Sequence, residues 1–184
     1  MSDVHLGKTG HFRKAGIAVP QAVFKEDMQR LLHLLHYFKP EKLIVIGDFF
    51  HSHANLELNL FTRWRNDMAY LPIILVKGNH DILSADWYRD ADIEVVNDLT
   101  INDFYFTHEY IEPNEHIYTF SGHIHPGISI KGLGKQALKF PCFYFTPEFA
   151  VLPAFSRFTG LALIDPKKAE QVYALAEKTI IRIQ

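Results

Sequence analysis

Over residues 21–38 the apolar positions Phe24, Met28, Leu31, Leu35 and Phe38 recur at alternating steps of four and three. That period predicts a helix with one apolar face, which Pro40 ends. The run "LIVIG" at 43–47 is continuous, β-rich and closed by glycine, the pattern of a short strand buried on both faces. "IILVKG" at 73–78 repeats it. Between the two, residues 54–70 carry Leu56, Leu60, Trp64 and Met68 at four-residue steps, a second helix. Helix, strand, helix, strand in this order predicts parallel pairing of the two strands.

Beyond Gly78 the pattern shortens. "LTI" and "FYFT" flank Asn102-Asp103 as the arms of a tight hairpin, and "IYTFSG" reads as a further strand. Residues 132–153 mix glycine, proline and aromatics and read as loops and short strands, whereas 171–175 and 179–183 are strand-like. The whole predicts a sheet-based α/β sandwich. No repeat, linker or low-complexity stretch divides the chain, so residues 1–184 are expected to form one domain.

Composition narrows the function classes. The 184 residues are 48% hydrophobic and 14% aromatic, with a formal charge of -2 and a pI near 6.6. That balance argues against a general nucleic-acid coat or a membrane-surface protein. The single cysteine, Cys142, excludes an internal disulfide framework, and no apolar run approaches the roughly 18 residues of a membrane span. With no signal peptide visible, a reduced, cytoplasmic setting is expected. Histidine stands out, with 11 copies.

Polar residues cluster just past the predicted strands. Asp48 follows "LIVIG", Asn79 and His80 follow "IILVKG", His108 follows "FYFT", and His123 and His125 follow "IYTFSG". In parallel α/β sheets the crevice beyond the carboxyl ends of the strands is where ligands bind. Asp3 and His5 join the group if they too leave a strand. The set is rich in imidazole and carboxylate and has no thiolate, which suits Mn, Fe or Zn and is more than one ion needs. In an extended His-x-His both rings share a face, so His123 and His125 could reach two neighbouring ions from one strand end. Gly122 would admit close backbone approach and Pro126 would end the strand.

Each piece alone has a plainer reading. His-x-His is often a loop feature, "GD" a turn, and "GNHD" a helix entry with Asn79 or Asp81 as its cap. Their recurrence at several separate strand ends favours a shared metal site.

The series "DVH", "GDFFH", "GNHD", "TH" and "GHIH" resembles the five motifs of the calcineurin-like metallophosphoesterases. "SDVHLGKTGHFRKAGIAVP" and "PCFYFTPEFAVLPAFSRFTG" are similar to the bacterial ligase-associated DNA damage response endonucleases of that superfamily. The resemblance implies a four-layer αββα sandwich and a dinuclear centre, often manganese. It places Asp3, His5, Asp48 and His125 around one ion and Asp48, Asn79, His108 and His123 around the other. Asp48 would bridge, and a bridging hydroxide would attack phosphorus. His80 would face the substrate as general acid. DNA would be the diester cut, in a repair setting with a DNA ligase or helicase as partner.

Two departures from the family pattern stand out. The place of a carboxylate that orients the catalytic histidine holds His51, leaving Asp81 and His51 as candidate supporting residues. Only Met1 and Ser2 precede Asp3, where relatives have a buried strand. A start assigned too far downstream explains this best and predicts an apolar strand encoded upstream, with Asp3 and His5 poorly anchored and the first metal site weak.

Lys8, Arg13 and Lys14, beside the first motif, are candidate phosphate or nucleic-acid contacts. Arg63 and Arg65 read as a solvated face, and His53 as a solvated loop histidine. His11, in a glycine-rich loop, could be either solvated or part of the site. Phe143, Tyr144 and Phe145 alternate in a strand-like run and read as core. A small-molecule phosphodiesterase or phosphomonoesterase is the enzymatic alternative to a nuclease, and a protein-interaction scaffold with a decayed centre is the alternative of another class.

Overall fold

A computed structural model describes residues 1–20, 22–51, 56–112, 117–132, 136–177 and 179–184. Its helices, among these residues, all precede Ala91: α1 (Lys8–Lys14), α2 (Ala22–Phe38), α3 (Leu56–Asp67) and α4 (Ala85–Asp90). The two periodic segments correspond to α2 and α3, and His53 lies outside the described residues. α1 replaces the expected glycine-rich loop. Its sequence KTGHFRK is a weak helix former, and tertiary bonds compensate: Thr9 Oγ1 and Arg13 Nη2 both donate to Glu57 Oε1 on α3. α4 is short and is capped by Ser84, whose Oγ accepts from the Trp87 N–H.

The first sheet is parallel, with β1 (Leu43–Ile46), β2 (Ile73–Val76) and β3 (Ile93–Val96) side by side in that order. Leu43, Val45, Ile73, Leu75 and Ile93 share one face and pack with Phe24, Leu31 and Leu35 of α2, Leu58 and Phe61 of α3, and Tyr88 of α4. On the opposite face Ile46, Ile74 and Val76 are also buried. Burial on both sides explains why these strands read as unbroken apolar runs.

The second sheet gathers the rest: β4 (Leu99–Ile101), β5 (Phe104–Phe106), β6 (Tyr118–Ser121), β7 (Pro126–Lys131), β8 (Ala137–Phe145), β9 (Phe149–Val151), β10 (Ala162–Leu163), β11 (Gln171–Ala176) and β12 (Thr179–Arg182). Their order is β10-β7-β8-β9-β6-β5-β4, with β11 pairing both β8 and β12. β4 and β5 form the expected antiparallel hairpin, turned through Asn102 at φ 53°. The long β8 was hidden in the mixed segment 132–153. Pro126 opens β7 instead of ending a strand, a position where no ladder donor is needed. Ile128, Cys142, Val172 and Ala174 form this sheet's own small core, and burial pushes the Cys142 thiol up to about 12.

The first residues correct the expectation of a loose start. The Met1 ammonium donates to the Ile44 carbonyl at 3.0 Å, the Ile46 N–H to Met1 O at 2.8 Å, and the Asp3 N–H to Gly47 O at 3.1 Å. On the other side Phe155 and Ser156 N–H donate to Ser2 O and Asp3 O. No full strand forms, only isolated bridges, Ser2 with Ala154 and Leu6 with Phe50. Even so, Ser2, Asp3, Val4, His5 and Leu6 are all buried. Asp3 and His5 therefore hang on a segment bonded along both edges.

Candidate metal centre

The carboxyl ends of β1, β2, β5 and β6 meet at one rim, and the backbone there is unusual. Among the described residues nine non-glycines have positive φ, and five of them are Asp3, His5, Asp48, His123 and His125, at 51° to 68°. Such backbone costs of order 1–3 kcal/mol per residue and persists where surroundings enforce it. His123 and His125 are thus aimed by a turn between β6 and β7, not by the two-residue repeat of an extended strand. Their side chains part company: His123 joins one group and His125 another.

One group is Asp3, His5 and His125, the other Asp48, His108 and His123, and within each group the nitrogen or carboxylate atoms lie within 4.8 Å of one another. In the first, His125 Nε2 is 3.2 Å from Asp3 Oδ1 and 3.4 Å from His5 Nε2. In the second, His108 Nε2 is 3.4 Å from Asp48 Oδ1, 3.2 Å from His123 Nδ1 and 3.1 Å from Asn79 Oδ1. His5 Nε2 lies 4.0 Å from Asp48 Oδ2, so Asp48 stands between the groups. All seven candidate ligands are in one neighbourhood.

Two observations test whether cations suit these groups. Asp3 Oδ1 is buried yet makes no aligned hydrogen bond, even to His125 Nε2 at 3.2 Å. A buried carboxylate oxygen without a proton donor is satisfied by a metal ion. His108 Nδ1 lies 3.1 Å from the Ile46 carbonyl, which can only accept, so Nδ1 holds a proton and Nε2 is the ring atom that faces the cluster. The residues fit a pair of divalent cations held by oxygen and imidazole.

Burial would raise the Asp48 pKa, but hydrogen bonds from His108 and from the His80 N–H at 2.9 Å hold it at about 2, so it stays ionised as a ligand must. Burial opposes charge on His108, yet the hydrogen bond and charge of Asp48 raise its pKa to about 8, so without a cation Nε2 carries a proton shared with Asp48, and a bound cation would take that proton's place. His5 is lowered to about 3, by burial and then by the charge of Lys8, and so keeps one ring nitrogen free of a proton.

Close packing at glycine brings the strand ends together. Gly47 has φ 71°, and a Cβ there would sit 2.0 Å from His108 Nδ1. A Cβ on Gly122 would sit 1.8 Å from Ser2 Oγ and 2.7 Å from Asp3 Oδ2. Ser2 is a residue the sequence did not single out. Its hydroxyl bonds Asp3 Oδ2 and the Ile46 carbonyl, and the His123 N–H also donates to Asp3 Oδ2 at 3.1 Å. A serine before an aspartate carries too little signal to be found from one sequence.

The supporting candidates divide. Asp81 is fully buried and accepts from the N–H groups of Phe50 and Gly78, each at 2.9 Å. It ties the second and third motifs together through backbone and not through the His80 ring. Burial raises its pKa to about 6 despite those bonds. His51 stacks on His80 with ring centroids 4.2 Å apart and has Nδ1 3.3 Å from His5 Nδ1. Burial and then the neighbouring His80 lower its pKa to about 4.

The three basic candidates also separate. Lys8 lies beside the cluster, its pKa lowered by burial against the pull of Asp48 and Asp3. Arg13 is paired with Glu57, at 2.7 Å. Lys14 and His11 are exposed on α1. Arg65 is another correction: it is buried, with its guanidinium on the carbonyls of Ala91, Met68 and Asp92 and the Asp92 carboxylate.

This arrangement agrees with the comparisons. A family model of calcineurin-like phosphoesterases matches residues 1–150. The chain belongs to that family and is a metal-dependent hydrolase of phosphate esters. The crystal structure of the Pseudomonas putida nuclease MPE is similar to it, with a TM-score of 0.80 and 31% sequence identity over 95% of this chain and 82% of that one. No curated protein sequence matches.

Proposed function

We propose that this chain, acting as one domain over 1–184, is a phosphodiesterase that cuts nucleic acid, most simply DNA, with a dinuclear metal centre. The observation that carries the reading is the pair of adjoining groups, Asp3–His5–His125 and Asp48–His108–His123, with Asp48 between them. Asn79, 3.1 Å from His108 Nε2, completes the second. Carboxylate and imidazole without thiolate suit Mn, Fe or Zn, and the family resemblance favours manganese among them.

When bound, two such cations neutralise the diester anion and make water nucleophilic near neutral pH. The chain's own residues do the rest. Asp48 stays ionised and, through Oδ1, holds the His80 backbone N–H at 2.9 Å. That bond fixes the loop carrying the His80 ring, which is half-exposed at the rim. His80 is the general acid that gives its proton to the departing alkoxide oxygen. Lys8, near Asp3 and Asp48, supplies positive charge for the incoming phosphate, with Lys14 further out.

The nucleic-acid reading draws on the similarity to a nuclease and on a rim formed by strand ends, which suits a long diester. The single Cys142, buried as a free thiol, fits a reduced cytoplasmic setting. No helix among the described residues is long and apolar enough to cross a membrane.

The test is hydrolysis of bis-nitrophenyl phosphate, nitrophenyl phosphate, single-stranded DNA and duplex DNA, with and without manganese. Manganese-dependent cleavage of the diester and of DNA is expected, with the monoester slower. His80→Ala should lower kcat by about 10²- to 10⁴-fold while binding of manganese is retained. Preference for the monoester, with DNA untouched, would overturn the nuclease reading.

A further inference from the structure

His51 occupies the place where a carboxylate is expected, and its contacts give it a specific task. Its Nδ1 lies 3.3 Å from His5 Nδ1. Two imidazole nitrogens at hydrogen-bond distance share one proton, so one donates and the other accepts. His5 Nε2 faces His125 Nε2 at 3.4 Å and Asp48 Oδ2 at 4.0 Å, on the side of the carboxylates. A cation there takes the Nε2 lone pair of His5, which leaves the His5 proton on Nδ1, pointing at His51.

We propose that His51 is a positioning residue that joins the two halves of the mechanism: its Nδ1 accepts the Nδ1–H of His5, and its ring face carries His80. This rests on the dinuclear reading above. Imidazole ligands of metals commonly give their second N–H to a carboxylate or carbonyl, which fixes the tautomer and the ring angle. Here a neutral imidazole fills that role and carries its own proton on Nε2. The other face of the contact is the stack on His80, with centroids 4.2 Å apart and planes tilted by 37°. The same three rings are mutually close, with His5 and His80 centroids at 5.6 Å. A carboxylate at residue 51 could accept from His5 but would offer His80 no ring to lie on.

Two substitutions separate the two duties. His51→Asn puts an amide oxygen near the position of Nδ1 and removes the ring. His51→Phe keeps the ring and removes the acceptor. Manganese titration of the wild type by calorimetry comes first, and two ions per chain are expected. Fewer than two in the wild type would sink the dinuclear reading itself, and this inference with it, before any variant is made. Given two ions, His51→Phe should weaken one of them by about 10- to 100-fold and spare the other. His51→Asn should hold both within about threefold of wild type but lower kcat on bis-nitrophenyl phosphate with little change in KM. Thermal melts of both variants report folding. Equal metal loss in the two variants, or none in His51→Phe, would overturn the acceptor role. A kcat for His51→Asn equal to wild type would overturn the ring's role.

Discussion

Five of the candidate ligands bend the backbone into a conformation that side-chain-bearing residues avoid: Asp48 and His123 just past strands, His125 just before one, and Asp3 and His5 in the bridged first segment. The strain is held by neighbours too close to move. Gly122 shows it best, since a Cβ there would overlap Ser2 Oγ at 1.8 Å and crowd Asp3 Oδ2. Gly122→Ala is therefore expected to lower manganese affinity by about 10- to 100-fold and stability by about 1–3 kcal/mol, read by titration and urea melts; an unchanged affinity would show that Asp3 needs no such closeness. The residue types of the centre were legible in the sequence, because an aspartate or histidine past an apolar run is conspicuous. Their aim was not. The His-x-His pair was expected to point by strand alternation, but both residues lie in a left-handed turn that sends the rings to different groups. Arg65 misled for a related reason. A charge on a helix reads as solvated, and nothing local reveals that three acceptors on Ala91 and Asp92 await it across the chain.

Elements with a strong internal period were recovered and those built by tertiary contact were not. α2, α3, β1, β2 and the β4–β5 hairpin carry their own signals. α1 depends on Glu57 of α3, and β8 contains Pro141 at a half-buried position, so neither has a pattern to read. The α2 helix also depends on a distant partner. Asp27, buried on its core face, accepts from Arg30 Nη2 at 3.1 Å and from Ser156 Oγ at 3.2 Å, while Arg30 lies over the Phe155 ring at 4.0 Å. This ties α2 to the segment that brackets Ser2 and Asp3. Burial raises the Asp27 pKa, with Arg30 pulling the other way. Because the folded value lies above the unfolded 3.8, the folded state holds this proton more tightly. Its contribution is full below the unfolded pKa and is lost as pH rises through the folded one. Asp27→Asn can still accept from Arg30 and donate to Ser156. It should match wild-type stability at neutral pH within about 1 kcal/mol and lose part of the gain on acidification. Urea melts from acid to neutral pH compare the two slopes; parallel curves would contradict the shift.

At the scale of the molecule, a parallel sheet and a mixed sheet meet so that four strand ends and the chain's first residues share one rim. The first residues matter most, because an unanchored start would leave half the centre unsupported. Bonds from β1 on one side and from residues 154–156 on the other hold Asp3 and His5 in place. That anchoring could not be read from two residues of sequence, since most of it runs through backbone groups. Family membership then gives the rim its phosphate-ester chemistry. The central claim is that this rim holds two cations at once. Anomalous scattering from crystals grown with manganese measures it directly. Two peaks are expected, one among Asp3, His5 and His125 and one among His108, His123 and Asn79, with Asp48 touching both. A single peak, or peaks away from Asp48, would contradict the account.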